Sequence, residues 1–152
     1  ESKLAGERAT LGHPNGVVLR TSFFGPSRTP GRKSLSDFVV GNLGAAKPIT
    51  LFGDVLFTPL HAETLATLVF EVIERHLRGT EKLGSGNGLS KAEFALAIAK
   101  HLSLQTATAT IGISTDQPGR ALRPTDLRLD PGRLEAALGR VMPSLQQEIE
   151  KL

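Results

Sequence analysis

A chain of 152 residues with 39% hydrophobic content can bury one core, roughly two-thirds of the surface its unfolded form exposes, so disorder is not the default reading. The lack of Cys removes disulfides and thiolate metal sites, and no apolar run approaches the ~18 residues of a membrane-spanning helix. A net charge of +3, with scattered Lys and Arg, no Tyr, no Trp and 5% aromatics, argues against a base-stacking nucleic-acid surface, leaving a soluble, cytoplasmic protein with no membrane partner as the plain expectation.

The chain opens as a helix already under way, Glu1 to Thr10, with Lys3 and Glu7 one turn apart on one face and Leu4, Ala5 and Ala9 forming a small apolar face. No start Met, N-cap or leading loop precedes it, and we expect a longer parent chain. After the His13-Pro14-Asn15-Gly16 turn, Val17 to Leu19 read as a strand buried on both faces. Pro26, Pro30 and two glycines make Gly25 to Lys33 a loop. It carries the basic cluster Arg28-Thr29-Pro30-Gly31-Arg32-Lys33, which could touch phosphates but whose plainer reading is solvated loop. A helix capped by Ser34 or Ser36 follows, with Leu35, Phe38, Val39 and Leu43 on one face.

Ile49 to Phe52 reads as a strand, and Val55 to Phe57 as a second, broken by Thr58-Pro59. His61 to Leu77 is the most regular helix, with a stripe of Leu65, Leu68, Val69, Val72, Ile73 and Leu77 and a stop at Gly79. Lys82 to Gly86 looks like a strand end and a bend. Ser90 and Glu93 form a capping box, stapled by Leu89 and Phe94, that opens a helix to about Leu102. Thr106 to Ser114 is a candidate strand leading into a polar loop. Asp130-Pro131 starts a helix ended by Gly139, and Ser144 with Gln147 caps a last one. His13, His61, His76 and His101 are dispersed and assign no metal; His61 is read as a capping or packing residue.

Three segments in this order, Ser2-Lys3-Leu4-Ala5-Gly6-Glu7, Val17 to Gly25, and Leu122-Arg123-Pro124-Thr125-Asp126 with Leu129-Asp130 and Arg133-Leu134, resemble the C-terminal half of the extended short-chain dehydrogenase/reductases. The likeness is nearest to the dTDP-4-dehydrorhamnose reductase type and covers nearly the whole chain. It implies an α/β fold comprising the substrate-binding portion, with the last helix and strand of the Rossmann domain. The expected division is 1–24 as remnant of the dinucleotide-binding domain and 25–152 as substrate-binding domain.

The resemblance places Lys3 on the lysine of a Tyr-x-x-x-Lys pair, whose ammonium holds the nicotinamide ribose and lowers the pKa of the tyrosine. That tyrosine falls ahead of Glu1, and the chain contains none; nor does it contain the glycine-rich phosphate loop, so these 152 residues alone are expected to be inactive. Thr21 and Ser22 would pass the nicotinamide of NADP or NAD, and Phe23 the face of a deoxy sugar, with Phe24 read as core. Thr50 and Phe52 would lie near the nucleotide base. Arg123 would clamp the diphosphate of a nucleotide sugar, and Asp126 would hold the loop or the arginine itself. Sugar-nucleotide epimerases carry a second arginine where this chain has Phe57-Thr58-Pro59, so half of that clamp is absent. The resemblance therefore implies a sugar-nucleotide reductase. An epimerase or dehydratase, or a non-catalytic regulatory subunit of the same fold, is the alternative, and a homodimer is an allowed assembly.

Overall fold

The computed structural model describes residues 2–114 and 123–152. Helix α1 (Ser2–Leu11) leads through a turn to β1 (Val17–Thr21), which runs parallel to β6 (Gly79–Leu83) in the register Val17 to Gly79 through Thr21 to Leu83. A one-residue break separates β1 from β2 (Phe23–Phe24), which pairs in parallel with β5 (Leu60–His61). Helix α2 (Leu35–Gly44) precedes β3 (Ile49–Phe52), the parallel neighbour of β8 (Ala109–Gly112). Strand β4 (Leu56–Phe57) lies between β7 (Leu89–Ser90), antiparallel, and β9 (Asp126–Leu127), parallel. Helices α3 (Ala62–Glu74), α4 (Lys91–His101), α5 (Gly132–Leu138) and α6 (Leu145–Ile149) complete the α/β architecture.

Two apolar clusters form the core. One gathers Val39 and Leu43 of α2, Ile49 and Leu51 of β3, Phe94 and Ile98 of α4, and Leu145 and Ile149 of α6 around Phe24. The rings of Phe24 and Phe57 each meet Phe94 edge-on, with centroids 4.9 and 5.3 Å apart. The other joins Leu60, Leu68 and Val72 to Leu83, Leu134 and Leu138, with Val17 and Leu19 of β1 packed against it. The first 24 residues are therefore tied by β1 to β6 and α3, and by Phe24 to the other cluster.

The helix starts follow the local chemistry. Ser34, Ser90 and Ser144 each accept the backbone N–H three residues on, and the side chains of Asp37, Glu93 and Gln147 return the bond. Elsewhere the expected elements shift. Helix α3 stops at Glu74, because His76 takes a left-handed φ of 51° and the Leu77 N–H turns back to the Val72 carbonyl. Ile73, within α3, is 57% exposed and not part of the buried stripe, and Phe38 of α2 likewise faces outward. The strand after α3 begins at Gly79, whose φ of +83° makes the turn, and Lys82 and Leu83 form its end as expected. Strand β8 keeps only Ala109–Gly112 of the expected run, and Pro131 is the N-cap of α5. Val17 to Leu19 are half-buried, not enclosed on both faces, since β6 is the one neighbour of β1 among the described residues.

Candidate functional site

Parallel strands end in a row of unpaired backbone groups, and ligands collect there. At the C-terminal end of β1 lies an open cleft of about 370 Å³ lined by Lys3, Glu7, Thr21, Ser22, Leu127 and Leu129, with Leu19, Arg20 and Phe57 behind them. One wall is α1. It is fixed to the strand by a two-pronged contact in which Arg20 Nε and Nη2 donate to Glu7 Oε1 and Oε2 at 3.1 and 2.7 Å. The hydrogen bonds from the Arg20 guanidinium hold Glu7 below the usual carboxylate range, and the same bonds push Arg20 upward. Lys3 sits one turn from Glu7 on that fixed helix, exposed to the cleft and, among the described residues, in no ion pair. Thr21 Oγ1 donates to the Ser22 carbonyl at 3.3 Å, whereas Ser22 Oγ is buried with no hydrogen-bond partner among the described residues. A buried hydroxyl normally finds one, so this oxygen keeps its bonding capacity for a polar group entering the cleft.

The opposite wall is the segment that carries Arg123. Leu56 N–H donates to the Thr125 carbonyl at 2.8 Å, and Leu129 N–H to Thr58 Oγ1 at 3.0 Å. Thr58 is 3% exposed, so it serves as a buried anchor for the wall. Asp126 accepts Arg128 Nε and Nη2 at 2.9 and 2.7 Å, and also the Arg128 backbone N–H at 3.1 Å. These bonds, the side-chain fork first, lower its carboxyl to about 2. The expectation that Asp126 holds Arg123 is corrected: its fork is filled by Arg128, the cation two residues away, and in this way it holds the segment. Arg123 itself is exposed.

The remaining expected residues divide. Phe23 is 64% exposed and lines a second opening, of about 400 Å³, on the other side of the strand end. Phe24 is 2% exposed and meets the His61 ring edge-on at 5.6 Å, a core residue as expected. His61 caps α3 through Nδ1, which accepts the Glu63 N–H at 3.4 Å, and it packs on Phe24, so both readings of it hold. Thr50 and Phe52 line neither opening. Thr50 lies exposed on β3, opposite Thr110 of β8, and Phe52 opposite Gly112. The structure thus brings Lys3, Thr21 and Ser22 into one cleft and sets Phe23 beside it. Among the described residues no group of His, Asp and Glu side chains could hold a metal.

Residues 1–152 match the RmlD substrate binding domain. The chain belongs to the RmlD substrate-binding domain family. It is 27% identical over 154 residues to the probable low-salt glycan biosynthesis reductase Agl14 of Haloferax volcanii, covering 99% of this chain and 51% of that protein. The crystal structure of a Bacillus anthracis dTDP-4-dehydrorhamnose reductase in complex with NADP superposes with a TM-score of 0.86 at 20% identity, over 99% of this chain and 52% of the other. A hypothetical dTDP-4-dehydrorhamnose reductase from Sulfolobus tokodaii gives 0.76 at 25% identity, over 94% and 49%. The chain spans about half the length of the relatives it matches. The fold is that of the corresponding half of the extended short-chain reductases, as the sequence implied.

Within this RmlD domain the sequence did not reveal the Glu7–Arg20 fork or the walls made by Leu127 and Leu129. Glu7 and Arg20 are 13 positions apart, beyond any helical or strand period. The Asp126–Arg128 pair did carry a signal, an acid and a base two residues apart beside a short strand.

Proposed function

We propose that this chain is the substrate-binding part of a cytoplasmic, NAD(P)-dependent sugar-nucleotide reductase that reduces a keto-sugar nucleotide. The observation that carries the reading is the meeting of Lys3, Thr21 and Ser22 in one cleft at a parallel strand end, with Ser22 Oγ buried and unpartnered. The Lys3 ammonium and the Ser22 hydroxyl, neither of them paired among the described residues, suit a ribose with its hydroxyls, so the residues fit a nicotinamide nucleotide. When bound, that nucleotide supplies a hydride. Lys3 holds the ribose and, as a fixed cation, lowers the pKa of the phenol that protonates the substrate oxygen. The domain contains no tyrosine, so the phenol belongs to sequence outside these 152 residues. Phe23 offers an apolar face to the sugar, Thr50 and Phe52 border the base, and Arg123 takes the diphosphate. In this reading the dinucleotide side comprises residues 1–24 together with the strand they pair with, β6, and the substrate side the remainder.

The test is turnover by the full-length protein with NADPH and a dTDP-linked 4-keto-6-deoxy sugar. Lys3→Met should lower kcat/KM by roughly 10²-fold or more, the scale of assisted proton transfer. Absence of NADPH oxidation by the wild type, or an unchanged rate in the variant, overturns the proposal.

A further inference from the structure

The segment that carries Arg123 is fastened on both sides to one short stretch of chain, Asp54 to Leu56, between β3 and β4. On the far side the Leu56 N–H donates to the Thr125 carbonyl at 2.8 Å, and β4 pairs with β9 in the register Leu56 to Asp126. On the near side Asp54 takes Ser114, two residues past the end of β8. Its Oδ1 accepts the Ser114 N–H at 2.9 Å and its Oδ2 accepts the Ser114 hydroxyl at 2.6 Å. The hydroxyl bond chiefly, with the amide bond beside it, holds the Asp54 carboxyl below the usual carboxylate range. A carboxylate suits the place because it offers one oxygen to each of the two Ser114 donors.

Short polar side chains ordinarily spend such bonds on their own turn, a few residues away. Asp54 and Ser114 are 60 positions apart, so this contact places one part of the chain against another. The stretch that does the holding is itself fixed. Val55 is 5% exposed, and its carbonyl accepts the Lys91 N–H, at the head of α4, at 2.9 Å. Just before it, the Gly53 N–H donates to the Gly112 carbonyl at 3.0 Å. The points at which the Arg123 segment leaves and rejoins the body are therefore set by neighbouring residues on a firm base. Asp54 lines neither cleft.

We propose that Asp54 is a positioning residue for substrate binding: by holding Ser114 it sets the near end of the segment that presents Arg123, without touching the ligand itself. The inference rests on the reading that this segment takes the diphosphate of a nucleotide sugar. A guanidinium fork grips phosphate oxygens two at a time and only in a narrow range of geometry. A misplacement of about 1 Å caused far from the ligand can cost about 10²-fold. A remote carboxylate that fixes the support is therefore felt at the ligand.

The test uses the full-length protein and reads dTDP affinity by calorimetry. Asp54→Ala should weaken dTDP about tenfold and leave NADPH affinity in place, which also shows that the variant is folded. Asp54→Asn should recover part of the loss, because its one carbonyl oxygen still accepts the Ser114 N–H. Ser114→Ala, which removes the hydroxyl bond alone, should likewise cost part of it. In turnover of a dTDP-linked 4-keto-6-deoxy sugar the loss should fall on KM and spare kcat. Where Arg123→Ala weakens dTDP, Asp54→Ala should add little on top, since the two act as a unit. Undiminished dTDP binding in Asp54→Ala overturns the proposal, as does a loss that NADPH shares or one fully additive to Arg123→Ala. No saturable dTDP binding by the wild type overturns it too. Loss in Asp54→Ala with none in Arg123→Ala would remove the Arg123 reading and leave the positioning role standing. A protein that binds dTDP in this way yet oxidises no NADPH would remove the reductase reading alone.

Discussion

Arg123 and Asp126 show how far single residues could be read. Arg123 was singled out only through the likeness of Arg-Pro-x-Asp to a family motif, and its role stands as a proposal. The partner of Asp126 was not legible, because two cations, Arg123 and Arg128, lie within three residues of it along the sequence and only the folded structure shows that Arg128 makes the fork. Each residue carries a prediction. In the full-length protein Arg123→Ala should weaken a nucleotide-linked sugar by roughly 1.5–3 kcal/mol, or about one to two decades, and leave NADPH binding unchanged. Arg123→Lys should recover only part, since an ammonium cannot make the two-pronged contact. Equal losses for the free keto-sugar would make the residue structural. For Asp126 the folded carboxyl titrates at about 2 against its ordinary 3.8, a depressed value. The Arg128 fork is then fully held above the ordinary value and is lost as pH falls through about 2. Carboxyl NMR should show that midpoint in the wild type, and Arg128→Gln should return it toward the ordinary value.

Among the elements, the capping boxes at Ser90 and Ser144 were legible because each closes within four residues, whereas at the head of α2 the sequence left the cap open between Ser34 and Ser36 and the structure makes it a Ser34–Asp37 box. What was not legible is set from far away. Strands β2, β4, β5, β7 and β9 have two residues each and exist only through partners such as Leu60 for Phe23 and Asp126 for Leu56. The end of α3 was misplaced for the opposite reason: its apolar stripe continues in sequence after the backbone has turned at His76. Helix α4 is the element on which the larger cluster is built. Phe94 is fully buried between two other rings, so Phe94→Ala should cost about 3–5 kcal/mol in chemical denaturation. Ser90→Ala, which removes only a cap, should cost about 1 kcal/mol. If the two variants were equally unstable, the packing account of α4 would be wrong.

At the scale of the whole molecule, fold class was legible from the order of three separated segments, and the pairing of β1 with β6 was not, since nothing in Gly79 to Leu83 names its partner. The 152 residues leave one side of β1 without a strand among the described residues. We predict that the isolated chain associates as its concentration rises, oxidises no NADPH and binds it only weakly. A monodisperse monomer in light scattering, or micromolar NADPH affinity, would contradict this. The pairing pattern also bears on how the molecule comes into being. Glu148 is fully buried and accepts the His61 N–H at 2.6 Å, the Thr64 hydroxyl at 2.9 Å and the Lys151 ammonium at 2.5 Å. His61 and Glu148 are 87 positions apart. On the ribosome, where chains emerge at about 5–20 residues per second, the head of α3 therefore waits several seconds for its carboxylate. Until α6 has left the exit tunnel this buried network cannot close, and the nascent protein depends on whatever shields its exposed apolar surface in the meantime.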